Sequence, residues 1–433
     1  MRNRSKIGLL LALLAAGSMW IYVQLILIPH QRAEEFAKQR PRGNLSDLYP
    51  RWLGARELLL HGRDPYGSDI TREIQIGYYG RPLDPSRPND PRDQQAFAYP
   101  LYVVFLLAPT VKLPFAVVHT IFVWLLFAIT AASVLLWLTA IGSSTSCNAK
   151  FMWVLLTLSS FSAVQGLKLQ QLSLVVAGLL AGSMCCLARR HFVWAGILLG
   201  IASIKPQLVA LPSLWLCIWV LGSWRERRPA LWGFLLTVAA LTSAGELLLP
   251  GWIGEFRAAC ADYYQYTGGG KSVLDVTLTP AVGRIVSVIV VGAFLFLSWR
   301  VRRAPEDSAE FQWSFSLCLA VTLVVIPMFA PYNQLLLTPA AMMIVHSIRE
   351  LWQKSSVTRL LVAGTALAVM FPWIGAVLLV FASMFLSADV VRRAWALPLY
   401  SNFAIPVLLL ALLLVSRSVL PKPRILRQDT AAE

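Results

Sequence analysis

Apolar runs of bilayer-crossing length recur from Ile7 to Val419, separated by short stretches carrying Gly, Pro, Arg or Lys. No other feature constrains the fold as much. About 20 apolar residues cross a hydrocarbon core of about 30 Å, so a chain that repeats such runs cannot close around one soluble core. Only 14% of the 433 residues are charged, against about 25% in a soluble domain. Backbone polar groups have no water to bond inside a bilayer, and helices satisfy them within one segment. The pattern predicts an all-α, polytopic transmembrane helical bundle, a single domain over residues 1–433.

The net charge of +16 would suggest nucleic acid on a soluble protein, but its distribution argues otherwise. From Pro29 to Phe97, eleven Lys and Arg stand against ten Asp and Glu; the remainder holds the other 27 basic and 12 acidic residues. The excess falls in short loops: Arg189 and Arg190; Arg225, Arg227 and Arg228; Arg300, Arg302 and Arg303; Lys422, Arg424 and Arg427. This is what the positive-inside rule expects of cytoplasmic loops, and nucleic acid is not an expected partner. The basic stretch Met1 to Lys6 followed by apolar Ile7 to Ile28, with no small-residue cleavage site, reads as an uncleaved first span with its N-terminus inside. Six cysteines show no paired metal spacing.

Residues 29–97 are then an extracytoplasmic loop, the one long polar segment. Within it, Leu45, Leu48, Trp52, Ala55 and Leu59 form one helical stripe, which suggests an amphipathic helix on the outer membrane surface. Pro82, Pro85, Pro88 and Pro91 make 80–92 an irregular loop, and Pro100 follows at the next apolar run. After Tyr99 the runs cover roughly 98–111, 115–141, 151–166, 171–188, 192–204, 206–222, 230–250, 281–299, 312–329, 332–348, 358–387 and 397–418. About ten to thirteen spans are expected. Several runs are too short to cross alone at about 1.5 Å per residue, so broken or re-entrant helices lining a cavity are expected. With the basic clusters inside, the outward tips are Lys205-Pro206-Gln207, the loop Gly251 to Pro280, and Pro327 to Gln334. Taken in order, the run 115–141 should end outside, and two further runs then fail to bring Arg189 to the cytoplasmic face.

The outer loop contains Leu45-Ser46-Asp47-Leu48-Tyr49, then Ala55-Arg56-Glu57-Leu58-Leu59-Leu60-His61-Gly62-Arg63-Asp64-Pro65-Tyr66, and closes on Tyr99-Pro100-Leu101. Later come Gln170-Gln171-Leu172-Ser173, Ile204-Lys205-Pro206-Gln207 and Pro331-Tyr332-Asn333-Gln334. In this order the motifs resemble the bacterial integral-membrane glycosyltransferases of family 87, within the GT-C group. The resemblance implies transfer of a hexose, often mannose, from a polyprenyl-phosphate donor to a lipid or glycan acceptor, on the outer face of the plasma membrane. It also maps the family's acid after the first span onto Asp47.

The residues are compatible with such chemistry. A phosphate leaving group is a weak base and needs no protonation, so the carboxylate pair of glycosidases is unnecessary. One base for the acceptor hydroxyl, with cations around the departing phosphate, suffices for an inverting displacement. Asp47 is the candidate base, against the plain reading of a solvated acid paired with Arg51 at i,i+4. Lys205, in an apolar context that Pro206 breaks, is the leading phosphate ligand, against a snorkelling lysine. Arg56 and Lys168 are weaker phosphate candidates, and Asp64, also a candidate substrate contact, suits a turn better. Tyr99, Gln171, Gln207, Tyr332 and Asn333 are further candidate substrate contacts at the tips. Tyr264 and Lys271 are candidates from the aromatic, glycine-rich stretch Asp262 to Lys271. Many relatives carry a histidine near the Pro327 to Asn333 tip, where this chain has Met328, Phe329 and Ala330. No D-x-D occurs, and no metal or other cofactor is expected. The runner-up class is a multi-span transporter or lipid flippase; few ionisable residues within spans (Lys168, Lys205, Glu246) and no internal repeat speak against it, and a third reading is a non-catalytic assembly subunit that binds through the outer loop.

Overall fold

A computed structural model describes residues 2–37, 46–84, 86–142, 145–266 and 269–419, with the backbone alone for 2–5. Leu45, Pro85, Gly268 and the basic residues Lys422, Arg424 and Arg427 lie outside the described residues. Every regular element described is a helix, and the chain is a membrane-integral helical bundle. Among the described residues, six helices are long and apolar enough to cross a membrane.

The first span, α1 (Arg2–Tyr22), runs through a π-turn at Val23–Leu27 into α2 (Ile28–Ala37), nine residues beyond the Ile28 boundary expected. Pro29 has no N–H to bond the carbonyl of Leu25, and the wider π-turn carries the helix past that gap. The outer segment folds as α3 (Leu48–His61) and α4 (Ser68–Tyr79), followed by an irregular proline-rich stretch. The apolar stripe of α3 does not rest on lipid alone: Leu48, Trp52, Ala55 and Leu58 are buried with Leu101, Val104 and Leu107 in the main core. A stripe that suits a membrane surface suits a protein surface equally well, and here protein covers it.

The run 98–111 is not a crossing. It yields α5 (Val103–Leu107), five residues long, and a 3₁₀ turn at Ala108–Thr110, and five residues at about 1.5 Å each cover only about 8 Å. Removing that crossing closes the count of spans that failed at Arg189. From there α6 (Phe115–Ala140), the bent pair α7 (Cys147–Leu158) and α8 (Phe161–Lys168), α9 (Ser173–Ala188), α10 (Phe192–Ala202) and α11 (Pro206–Leu221) alternate between two ends of the bundle. The alternation continues through α12 (Trp224–Leu248), past α13 (Trp252–Tyr266) and α14 (Val273–Thr277), into α15 (Pro280–Val301) and α16 (Ala309–Val325). It ends with α17 (Thr338–His346), α18 (Ile348–Lys354), α19 (Ser356–Ala382), α20 (Ala388–Arg393) and α21 (Ala404–Ser416). The pair α7–α8, bent by 55°, supplies a seventh span if taken as one; α9, α10, α11 and α16 are shorter apolar helices. The ten to thirteen spans expected count these shorter helices as crossings.

The three basic clusters within the described residues gather at one end. Arg190 pairs with Glu226 and, at 3.6 Å, with Glu306, and Arg227 donates to the carbonyls of Arg302 (2.8 Å) and Ala304 (2.9 Å). At the opposite end the expected tips meet. The Phe329 N–H donates to the Lys271 carbonyl at 3.1 Å, Gln334 Nε2 to the Asn402 carbonyl at 2.7 Å, and the Asp47 N–H to the Leu169 carbonyl at 3.1 Å. The segment 251–280, expected as a loop, instead holds α13 and α14, because Trp252, Phe256 and Tyr263 recur at helical spacing. Between α10 and α12 the backbones touch. A Cβ on Gly196 would come within 2.0 Å of the Ala230 carbonyl oxygen, and one on Gly233 within 2.5 Å of that of Val193, the close approach that small residues permit in membranes. This contact fixes α10, whose C-terminal end delivers Lys205.

Candidate active site

Asp47 occupies the position that would cap α3, yet its side chain makes no capping bond and its backbone is already helical, φ −62° and ψ −9°. Its carboxylate instead accepts from Gln171 Nε2. Arg51, one turn along, donates to the main-chain carbonyl of Asp47 rather than to the carboxylate. The two bland explanations of an acid at this position, a helix cap and an i,i+4 ion pair, therefore both fail.

Gln171 is held by the turn between α8 and α9. Gln170 adopts φ +50° there, its side chain accepts from Ser46 and donates to the His119 carbonyl, and the Gln171 N–H bonds the Gly166 carbonyl at 2.9 Å. The far side of the Gln171 amide accepts from Lys205 Nζ at 2.9 Å. One amide thus separates carboxylate from ammonium. Lys205, only 5% exposed, also donates to Ser173 Oγ at 2.7 Å, and Ser173 donates to Asn333 Oδ1 at 2.7 Å. The ammonium lies 5.6 Å from the Tyr99 ring centre and 5.3 Å from that of Tyr332; the Arg51 guanidinium covers the Tyr99 ring at 4.6 Å. The snorkelling reading of Lys205 therefore does not hold: its head is hydrogen-bonded inside the protein, not at a surface.

The electrostatics follow from this packing. Burial pushes the Asp47 carboxyl above the usual carboxylate range, against the opposing pull of Arg51, Lys205 and the Gln171 bond, while nearby Asp93 raises it further. Burial works to lower the Arg51 pKa, but Tyr99, Asp47, Tyr263 and Asp93 together hold it above its ordinary value. Arg51 Nε is buried without a hydrogen-bond partner among the described residues.

Of the residues expected at the site, Asp47, Tyr99, Gln171, Lys205, Tyr332 and Asn333 come together. Six do not join this cluster. Arg56 lies five residues beyond Arg51, about 140° around the helix, and covers the Trp52 ring at 5.4 Å. Asp64 forms a turn, its Oδ1 accepting from the Tyr66 N–H at 2.9 Å. Gln207 is exposed on the first turn of α11. Tyr264 is 48% exposed, because one step along α13 rotates the side chain by about 100°; its neighbour Tyr263 faces the charges of Asp93, Arg51 and Asp47. Lys271 contributes its main-chain carbonyl, and its side chain is exposed. Lys168 donates to Gln31. Arg51, Ser173, Asp93 and Tyr263 join the cluster although sequence reasoning did not select them. For Arg51 the signal was present in its i,i+4 spacing from Asp47, which reads more simply as an ion pair.

Among the described residues no three His, Cys, Asp or Glu side chains are arranged to hold a metal ion, and the six cysteines are free. The cluster can accept one proton, at Asp47, and place positive charge about one amide's width away.

The sequence model of glycosyltransferase family 87 matches residues 97–331, more than half of the chain. The chain belongs to glycosyltransferase family 87. No curated protein and no solved structure matches it. As a family 87 glycosyltransferase it uses a sugar donor and an acceptor. The matched span carries Tyr99, Gln171, Ser173 and Lys205, whereas Asp47 and Arg51 precede it.

Proposed function

We propose that this glycosyltransferase moves a hexose, mannose in particular, from a polyprenyl-phosphate carrier to an acceptor hydroxyl, with inversion at the anomeric carbon. The observation that carries the reading is the buried carboxylate of Asp47, which among the described residues has neither a capping bond nor an ion pair and is separated by the Gln171 amide from the ammonium of Lys205. Asp47 accepts the proton of the acceptor hydroxyl as its oxygen attacks C1. The bond from C1 to the phosphate oxygen breaks, and its electron pair leaves on the phosphate. Lys205 and Arg51 stabilise that developing charge, and Tyr99 and Tyr332 shield both cations from water. A direct contact between base and cation would neutralise each; the intervening amide orients both. Gln171, Ser173 and Asn333 are positioning residues.

The cluster lies at the end opposite the basic loops, which supports an extracytoplasmic site in a bacterial plasma membrane with the N-terminus inside. Nucleotide sugars are confined to the cytoplasm, so a carrier whose lipid tail lies in the bilayer is the donor this location requires. Purified protein incubated with radiolabelled polyprenyl-phosphate-mannose and membrane extract should transfer label to the acceptor fraction. Label remaining on the carrier would reject the donor assignment. Sidedness has its own check in a background without native cysteines. Cysteines at exposed Asn89 and Lys271 should react with an impermeant maleimide in intact cells, and those at exposed Arg303 and Lys354 should not; the reverse pattern would place the site on the cytoplasmic face.

A further inference from the structure

A cleft of about 580 Å³ opens beside the candidate site, between the proline-rich segment and the C-terminal end of α13. Its volume falls within the range of about 300–1,000 Å³ typical of ligand sites. The walls are built, although the segment that forms them has no regular structure. Gln75, buried on α4, accepts from the Leu83 N–H at 3.0 Å and donates to the Gln94 carbonyl at 3.2 Å, clamping both ends of the segment. Arg81 bonds both carboxylate oxygens of Asp90, Asp90 accepts from the Asp84 N–H at 2.9 Å, and Tyr79 donates to the Asp93 carbonyl at 2.7 Å.

Three features describe what fits. The lining is polar, with carboxylate, guanidinium and amide groups beside the faces of Pro88 and Pro91. Its formal charges balance, Asp84 and Asp90 against Arg87 and Arg92, so the cleft favours a neutral ligand over a phosphate or an acid. Tyr266, also in the lining, has a buried hydroxyl without a hydrogen-bond partner among the described residues, and an unmet buried donor calls for a ligand oxygen. Asp93, set between lining residues Arg92 and Gln94, lies close enough to Asp47 for its charge to act there, and the charge of Arg51 reaches Tyr266 in the lining, so this wall of the cleft adjoins the cluster. Nearly all of its lining precedes residue 97, where the family match begins.

We infer that this cleft binds the glycan portion of the acceptor, a neutral oligosaccharide, and presents its terminal hydroxyl to Asp47. The inference rests on the proposed function for the role of Asp47, but the binding does not. Hydroxyl groups around a sugar ring match the alternating donors and acceptors of the wall, and the proline and tyrosine faces match the C–H face of the ring. A lipid tail on such an acceptor would remain in the bilayer, outside the cleft.

The test is direct binding of full-length protein, reconstituted in nanodiscs, to an array of neutral and uronic-acid oligosaccharides, each presented free and with an alkyl tail. At least one neutral oligosaccharide should bind in both presentations. Gln94→Trp, which fills the cleft, should weaken that binding more than tenfold; Tyr266→Phe should weaken it less; and Arg303→Ala at the opposite end should leave it unchanged. Binding only in the tailed form would mean that the membrane or the tail, and not the cleft, holds the ligand. That result, a preference for uronic-acid glycans, the absence of any neutral ligand, or equal binding by Gln94→Trp would each overturn the inference. Failure of mannose transfer with glycan binding intact would reject the donor reading alone.

Discussion

Asp47→Asn should abolish sugar transfer while leaving the protein folded. Asparagine keeps the size of the side chain and an oxygen that can still accept from Gln171, but it has no basic lone pair for the acceptor proton. Loss of a positioned general base costs a factor of about 10² to 10⁴ in rate. A cap or a surface ion pair would cost at most about 1 kcal/mol of stability and little activity, and Asp47 fills neither role. Detergent extraction and thermal melting should therefore match the wild type, and Asp64→Asn, which loosens a turn in the same segment, should be the milder change. The pH profile adds a second readout. Burial raises the Asp47 pKa, and a base works only when deprotonated. Activity should accordingly fall, as pH drops, at a pH above the ordinary carboxylate value of about 3.9. Arg51→Met removes a charge that holds this pKa down and should move the acidic limb further up. Turnover above about a tenth of wild type in Asp47→Asn, less than a lost base would cost, would remove Asp47 from the reaction.

Lys205→Met should have the second largest effect. Its ammonium bonds Gln171 and Ser173 inside the protein, and placing a charge at such depth costs a few kcal/mol, which an ordinary structural lysine would avoid. Removing a preorganised charge from a developing anion costs about 10² to 10³ in rate. Lys205→Arg should retain part of the activity, because the role proposed is charge and not shape, although guanidinium geometry will not reproduce both bonds. The loss should appear in kcat at saturating polyprenyl-phosphate-mannose, together with an upward shift of the acidic limb, since Lys205 also lowers the Asp47 pKa. Wild-type kcat in the methionine variant would leave Lys205 with a purely structural role.

Much of this architecture can be read in the sequence, and its misses have physical causes. Hydrophobic runs identify helices by length, so α6, α12, α15 and α19 are legible. They do not distinguish a crossing from a short buried segment, and the apolar run 98–111, which becomes five residues of helix and a turn, misplaces every later span by one side. Periodicity gives α3 its buried stripe but not what covers it. The site was legible where a residue's type was costly in its context, as with Lys205 beside Pro206, or where motif order singled it out, as with Asp47, Gln171 and Asn333. Arg51 was hidden because i,i+4 spacing to an acid is the commonest pattern on a helix surface. Tyr263 was hidden because a segment read as a loop gives no face to choose, and only the helical turn of α13 separates it from Tyr264.

The configuration of the first product tests the central claim most directly. One carboxylate acting as base, with cations on the departing phosphate, permits a single displacement and no glycosyl-enzyme intermediate. NMR of the product formed from polyprenyl-phosphate-mannose by the wild-type protein should show the anomeric configuration inverted relative to the donor. Retained configuration would require a second displacement and a nucleophile, and would contradict the account of Asp47 as the single base.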